Sequence, residues 1–183
     1  MTRTLKITAI GVALMGLYQL GWAQDGAVVD RLMVEFTPTT LTKSQQRKEL
    51  EWFRRAAKPY KGKSIRVVSE TLDIHAYESD VLAKAFTQLT GIHVVHEQTG
   101  EDDLVKKIET QARTGIQLYD AYINDSDLIG WHYRGGKTVN LSDFIAHQGK
   151  TVTSPTLDLK DFIGLSFTTG PDGKIYQLPD QQF

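Results

Sequence analysis

The 183-residue chain contains no cysteine, which excludes disulfides, thiol catalysis, thiolate metal sites and a lipid-modified N-terminal cysteine. Its formal net charge is only −1, so the composition lacks the excess of basic residues that is typical of nucleic-acid-binding proteins. Glycine (15) and proline (5) are not enriched, which excludes collagen-like and low-complexity chains. A hydrophobic share of 40% argues against global disorder. These properties leave a globular chain of about one domain.

Motifs for nucleotide binding and serine hydrolysis are also missing. The sequence has neither Gly-x-Gly-x-x-Gly nor a Walker loop, and residues 164–168 depart from Gly-x-Ser-x-Gly at the last position. His93 and His96 are three apart on a predicted strand and therefore point to opposite faces. The other histidines are interpreted as solvated or capping side chains in loops: His75, His132 and His147. We therefore predict no cofactor, no metal and no catalytic residue.

The first residues have the three-part layout of a secretory signal. Arg3 and Lys6 precede an uncharged, mostly apolar run from Ile7 to Leu20, and small residues follow just before Gln24. A membrane anchor is the alternative, but the run is shorter than the roughly 20 apolar residues that a span needs. We predict a signal peptide over residues 1–23 and, because the chain lacks cysteine, a periplasmic location.

Residues 24–59 are predicted to form a helical N-terminal extension. Thr42 and Gln45 have the spacing of a capping box, in which each side chain bonds to the backbone N–H of the other residue. The helix that they open is expected to run to about Ala57, before Pro59 breaks the chain.

From residue 60 to residue 183 the pattern predicts an α/β lobe. Strands are predicted over 65–68, 92–96 and 119–123, and helices with apolar stripes lie between them, over 81–89 and 104–112. This alternation is typical of βαβ units and a mostly parallel sheet flanked by helices. Residues 141–146 suit a short helix or a strand end, and residues 167–178 suit a hairpin that turns at 170–173.

Short polar side chains follow each predicted strand. They occupy 69–71, 97–99, 124–127 and 180–182, and aromatic residues lie near them in the sequence: Tyr77, Trp131 and Tyr133. In an open parallel sheet, ligands bind beyond the carboxyl ends of the strands, and hydroxyl-rich solutes need groups that donate and accept hydrogen bonds. Ordinary loop and helix-capping chemistry is the alternative. Four such ends together favour a site for a small polar molecule.

Asp125 and Asp127 also suggest a different function. An Asp-x-Asp pair after an apolar strand holds a divalent metal in some glycosyltransferases, and in some phosphatases a carboxylate attacks phosphorus. A secreted metal-dependent enzyme is therefore the alternative hypothesis. The pair is short and common, and no nucleotide-binding loop accompanies it, so we predict that the protein is not an enzyme.

From Tyr60 to Phe183 the chain resembles the N-terminal lobe of an extracellular solute-binding protein of an ABC importer. It is most similar to the subgroup associated with glycerol and sugar uptake, and the N-terminal extension resembles that of the same subgroup at Leu41–Lys43. The segments that carry the resemblance are Val68–Thr71, Tyr77–Ser79, Leu82–Phe86, Thr90–Ile92, Tyr119–Gly130, Asp161–Gly164 and, most specifically, Phe167–Phe183.

The resemblance implies a two-lobed receptor that captures a sugar or a polyol such as glycerol and delivers it to an ABC permease. It implies no catalysis. By position in the matching motifs, the resemblance assigns ligand binding to Glu70, Glu97, Asn124, Asp125, Asp127 and Gln181, with Tyr122 and Trp131 as aromatic candidates. The ligand domain of a sensor is another alternative. Members of the family are much longer, so we expect an N-terminal lobe fragment with an incomplete second lobe.

Overall fold

The computed structural model describes residues 26–124 and 129–180. The predicted signal peptide lies outside these residues, and so do three predicted ligand residues, Asp125, Asp127 and Gln181. The described residues belong to two compact units, one ending at Trp52 and the other beginning at Phe53. None of the helices in the described ranges is long and apolar enough to cross a bilayer.

The first unit contains a helix over 26–35 (α1) and the start of helix α2, Lys43–Ala56. The predicted capping box is confirmed. The backbone N–H of Gln45 lies 3.3 Å from Oγ1 of Thr42, and the N–H of Thr42 donates to Oε1 of Gln45 at 2.9 Å. The buried amide of Gln46 donates to the carbonyls of Met33 and Phe36, so the loop between the helices is tied to α2.

The second unit is built on a three-stranded parallel sheet. Strands β1 (Ser64–Glu70), β2 (His93–Thr99) and β3 (Ala121–Tyr122) have the order β2-β1-β3. The predicted α/β class and parallel sheet are confirmed. Strand β3 is shorter than predicted, and it begins after Leu118 and Tyr119, whose backbone N–H groups donate to Oε1 of Gln111 at 2.6 and 2.8 Å.

Helices cover both connections of the sheet. The β1–β2 connection contains α3 (Asp73–Tyr77), a π-helical turn (Glu78–Leu82) and α4 (Ala83–Thr90). After β2 comes α5 (Glu101–Thr114). Gly91 and Gly115 end α4 and α5 in the left-handed conformation, which glycine adopts without steric cost. The helix stops that the sequence predicts are therefore in place.

The core lies between the sheet and α5. Val68 of β1 is fully buried there with Leu104, Ile108 and Tyr119, and three half-buried side chains complete the cluster: Leu118, Tyr122 and Trp131. Because side chains alternate along a strand, Ser69 faces the opposite side of the sheet from Val68. The face of the sheet that packs against α5 is therefore apolar at Val68, and the opposite face is polar at Ser69.

The last part of the described chain is mostly irregular. It contains α6 (Ile129–Gly135), α7 (Leu141–Ala146) and two 3₁₀ turns, Leu159–Asp161 and Leu165–Thr168. The ambiguous segment 141–146 is thus a helix.

The hairpin predicted over 167–178 is present only in a short form. Gly170 N–H donates to the carbonyl of Lys174 at 2.8 Å and Tyr176 N–H donates to the carbonyl of Thr168 at 3.2 Å, on either side of one antiparallel bridge between Thr169 and Ile175. On its other side Ile175 exchanges hydrogen bonds with the start of α7: its N–H donates to Oγ of Ser142, and its carbonyl accepts from Leu141. The second arm is therefore not a fourth strand of the sheet that the structure describes.

Candidate functional site

The carboxyl ends of the three strands lie at one edge of the sheet, which we call the carboxyl edge. Thr71 N–H donates to the carbonyl of Thr99 at 2.9 Å, and Ile123 N–H donates to the carbonyl of Val68 at 2.9 Å. Glu70 and Asn124 therefore lie at the ends of adjacent strands. The structure brings these two predicted ligand residues to the edge where parallel sheets bind ligands.

Glu97 has partners within its own chain. It lies opposite Val68 on the α5 face, where Lys107 forms an ion pair with Oε1 and the hydroxyl of Tyr119 donates to Oε2 at 2.8 Å. The hydrogen bond from Lys107, followed by that from Tyr119, lowers the pKa of the Glu97 carboxyl. Its role toward a solute stays a prediction, and its contacts join β2 to α5.

Tyr122 and Trp131 also lie on the α5 side. The Tyr122 hydroxyl is 2.8 Å from Nε2 of His132, and both aromatic rings meet the imidazole edge to face. Burial raises the pKa of Tyr122 to about 12. Trp131 lines two surface grooves of about 360 and 300 Å³ that border α5 and α6. The structure therefore groups these two predicted residues with each other and not with Glu70.

A cluster that the sequence analysis missed lies where β1 leads into α3. His75, Glu78 and Asp180 each offer a ligand atom, and these atoms all lie within 4.8 Å of one another. His75 follows the carboxyl end of β1, and Glu78 begins the π-helical turn. π-Turns are frequent at functional sites. We call these three residues the His75 cluster.

Contacts with the sheet fix the orientation of His75, which is only 3% exposed. Its Nδ1 lies 2.9 Å from the backbone carbonyl of Glu70, and its own carbonyl accepts a 2.9 Å bond from the Gln98 amide. A carbonyl oxygen only accepts, so Nδ1 carries the hydrogen. Nε2 is buried and has no hydrogen-bond partner in the described part of the chain.

Hydrogen bonds continue from His75 along the sheet. Ser69 is fully buried, and its hydroxyl donates to the Glu70 carbonyl at 2.9 Å. The same hydroxyl is 2.8 Å from Nε2 of His96 on β2, so that nitrogen donates to it. Burial, and secondarily the nearby His75, lower the pKa of His96. This face of the sheet therefore carries a polar network that leads to the cluster.

The two carboxyl groups of the cluster share one environment. Glu78 is half-buried, and its Oε2 has no hydrogen-bond partner among the described residues. Burial first, and then the neighbouring Asp180, raise the pKa of Glu78 to about 8. A proton or a cation between the two carboxyl groups relieves their mutual repulsion.

The histidine interpretation needs correction at two positions. His75 and His132 are buried, at 3% and 1% exposure, and both lie on helices and not in solvated loops. His147 is exposed, and its Nδ1 lies 2.9 Å from the carbonyl of Asp143 at the end of α7, as expected for a capping side chain.

A local signal for the cluster was present in the sequence. His75 and Glu78 are three residues apart directly after a strand, a spacing that places two ligands on one face of a helix. Asp180 lies about a hundred positions later, and no local pattern connects it to them.

The structure is similar to the crystal structure of an ABC transporter solute-binding protein from Agrobacterium radiobacter K84 in complex with ribitol. The TM-score is 0.58 over 67% of this chain, at 23% sequence identity. The chain spans 30% of the length of that protein. Similarity at this level shows the fold alone, an α/β lobe with a parallel sheet flanked by helices. No protein-family model and no curated protein matches the chain.

Proposed function

We propose that the chain is the N-terminal lobe of the substrate-binding component of an ABC importer. It captures a small polar solute, a sugar or a polyol such as glycerol or ribitol, in the periplasm and delivers it to a permease. It carries out no catalysis. Residues 1–23 are its export signal.

One observation carries this proposal: the β2-β1-β3 parallel sheet of a solute-binding lobe places Glu70 and Asn124 at its carboxyl edge. Carboxylate and amide groups at such an edge supply the acceptors and donors that a hydroxyl group needs. The similar fold of a protein crystallised with ribitol supports a polyol as one class of solute.

The complete proposed solute site includes residues on both sides of this edge. We assign hydroxyl binding to Glu70, Glu97, Asn124, Asp125, Asp127 and Gln181, and ring packing to Tyr122 and Trp131. A flat ring suits the apolar face of a sugar while its edge remains polar.

Solute binding is tested with protein expressed from its complete reading frame. Thermal unfolding is measured with ribitol, glycerol and a panel of hexoses, and hits are titrated by calorimetry. A solute present at 100 times its Kd stabilises the folded state by about 2.7 kcal/mol, which raises the Tm visibly. If no polyol or sugar raises the Tm, the proposal is wrong.

Glu70→Gln tests the site itself. A hydrogen bond to a charged group contributes about 1.5–3 kcal/mol, so the variant is expected to bind the solute about 10- to 100-fold more weakly. Glu35→Gln, which changes an exposed residue of α1 in the first unit, is the matched control and should bind like the parent. Equal affinity in both variants would remove Glu70 from the site.

Export and transport need their own measurements. We expect the N-terminus of protein released by osmotic shock to be Gln24. Cells lacking the gene should lose uptake of the labelled solute. If uptake continues while a transcriptional response to the solute is lost, the protein is the ligand domain of a sensor.

A further inference from the structure

We propose that the His75 cluster binds a divalent transition-metal cation, with Zn²⁺ and Mn²⁺ as the best-suited ions. His75, Glu78 and Asp180 each present one ligand atom, all within 4.8 Å of one another. The solute-binding proposal does not require this site, and the two activities are measured separately.

The imidazole of His75 is held in the form that a metal requires. Nδ1 donates its hydrogen to the Glu70 carbonyl at 2.9 Å, which leaves the lone pair of a neutral ring on Nε2. Histidines that bind metals usually make such a bond through their second nitrogen, because it fixes the ring and its tautomer. His75 is only 3% exposed, and its Nε2, which is buried and has no hydrogen-bond partner in the described part of the chain, is the nitrogen left to bind an ion.

The carboxyl groups of Glu78 and Asp180 complete the set of ligand atoms, and no lysine or arginine of the described residues forms an ion pair with either of them. Oε2 of Glu78 is buried and without a hydrogen-bond partner there. An imidazole lone pair and two carboxylates in one place repel one another unless positive charge lies between them. Asp180 is exposed at the rim of the cluster, so its carboxylate is able to adjust to an ion.

The surroundings hold the first ligand in position. Gln98 of β2 donates to the His75 carbonyl at 2.9 Å, which ties α3 to the sheet. Ser69 donates to the same Glu70 carbonyl that accepts from His75, and His96 donates to Ser69. Outer contacts of this kind orient metal ligands and sustain their affinity.

The donor set selects the class of ion. One nitrogen and two carboxylate oxygens suit Zn²⁺ and Mn²⁺, whereas Ca²⁺ and Mg²⁺ favour oxygen-only sites. Zn²⁺ binds such ligands more tightly than Mn²⁺ does. Three protein ligands leave at least one coordination position for water.

The experiment titrates ZnCl₂, MnCl₂ and CaCl₂ into chelator-treated protein, expressed from its complete reading frame and free of affinity tags. We expect one Zn²⁺ per chain, weaker Mn²⁺ binding and no comparable Ca²⁺ binding. X-ray absorption at the zinc edge should show nitrogen and oxygen ligands that include one imidazole. Absence of stoichiometric Zn²⁺ binding, or a zinc spectrum without imidazole, would overturn the proposal.

Two variants locate the ion. Asp180→Asn changes an exposed side chain, so folding is expected to be unaffected, and Zn²⁺ affinity should fall at least about tenfold. Asp161→Asn and His147→Gln remove an exposed acid and an exposed histidine elsewhere and should bind within about twofold of the parent. If Asp180→Asn binds Zn²⁺ as the parent does, the site is not the His75 cluster.

Glu78→Gln distinguishes a metal site from a purely structural contact between the carboxyl groups of Glu78 and Asp180. Without metal, the variant places a neutral amide of the same shape beside Asp180, so its Tm should equal or exceed that of the parent. With Zn²⁺, the parent should gain stability that the variant does not gain. An equal gain in both proteins would exclude Glu78 as a ligand and overturn the proposed set.

Discussion

The hydroxyl of Tyr119 lies 2.8 Å from Oε2 of Glu97 and donates a hydrogen bond to it. Lys107 of α5 pairs with the other oxygen of the same carboxylate. One side chain of β2 thereby joins a helix to the segment that leads into β3. We expect this junction to contribute to stability in a pH-dependent way.

Replacing Glu97 with Gln tests that contribution. The folded state lowers the pKa of Glu97 below its ordinary value of 4.5, so the stabilisation is fully present above about pH 4.5 and is lost as the pH falls through the lower, folded-state pKa. For a partly exposed ion pair we expect about 0.5–1 kcal/mol at pH 7. Denaturant unfolding at pH 7 and at pH 3 should show a smaller difference between parent and variant at pH 3 than at pH 7.

Glu97→Gln also tests whether this carboxylate binds the solute, when its solute affinity is compared with that of the parent. Lower solute affinity with unchanged stability would mean that the carboxylate leaves its partners to bind the solute. A stability difference that is the same at both pH values would show that the charge of Glu97 contributes nothing.

Tyr122→Phe removes one buried hydrogen bond and little else. The Tyr122 hydroxyl lies 2.8 Å from Nε2 of His132, which is 1% exposed. Loss of this bond should reduce the free energy of unfolding by about 1 kcal/mol. Tyr133→Phe is the control: Tyr133 is exposed, and its ring contact with Tyr176 persists, so its effect should stay below about 0.5 kcal/mol. Equal effects would show that the Tyr122 hydroxyl is not specifically stabilising.

Val68→Ala probes the core between β1 and α5. Val68 is fully buried, so the loss of two methyl groups and the resulting cavity should cost about 2 kcal/mol. Val95→Ala on the neighbouring strand changes a side chain that is 53% exposed, and its effect should stay within about 0.5 kcal/mol. Chemical denaturation of both variants gives the comparison, and similar losses would contradict the described packing.

Gly91→Ala should be destabilising by about 1–2 kcal/mol. Gly91 has φ +72°, and an added Cβ would lie 2.7 Å from Cγ of Lys61. Gly135→Ala, at the end of α6, meets only Lys137 Cγ at 3.8 Å and should leave stability unchanged or slightly higher. Thermal unfolding of the two variants tests this difference. An unchanged Tm for Gly91→Ala would rule out the left-handed conformation at the end of α4.

Features set by neighbouring residues could be predicted from the sequence. The capping box at Thr42 and the helix stops at Gly91 and Gly115 each depend on a few adjacent positions. Strands β1 and β2 follow from alternating helical and extended patterns, and the parallel sheet follows from that alternation.

Features set by distant side chains could not be predicted. Gln111 binds the backbone N–H groups seven and eight residues away, before β3 begins, and Ser142 and Leu141 bind the outward-facing backbone groups of Ile175. His75 lies far from Asp180 in the sequence and meets it only after the chain has folded. Periodicity carries no information on such pairings.

Strand β1 is the first of the three described strands in sequence and the central one in their sheet. During synthesis β1 leaves the ribosome before β2, and β2 before β3, because the chain emerges from its N-terminus. When β2 and then β3 emerge, β1 is already present to pair with them. Each adds to a free side of β1, so neither has to insert between two strands that are already paired. The order of translation and the order of assembly coincide, so these three strands can pair while the chain is still being made.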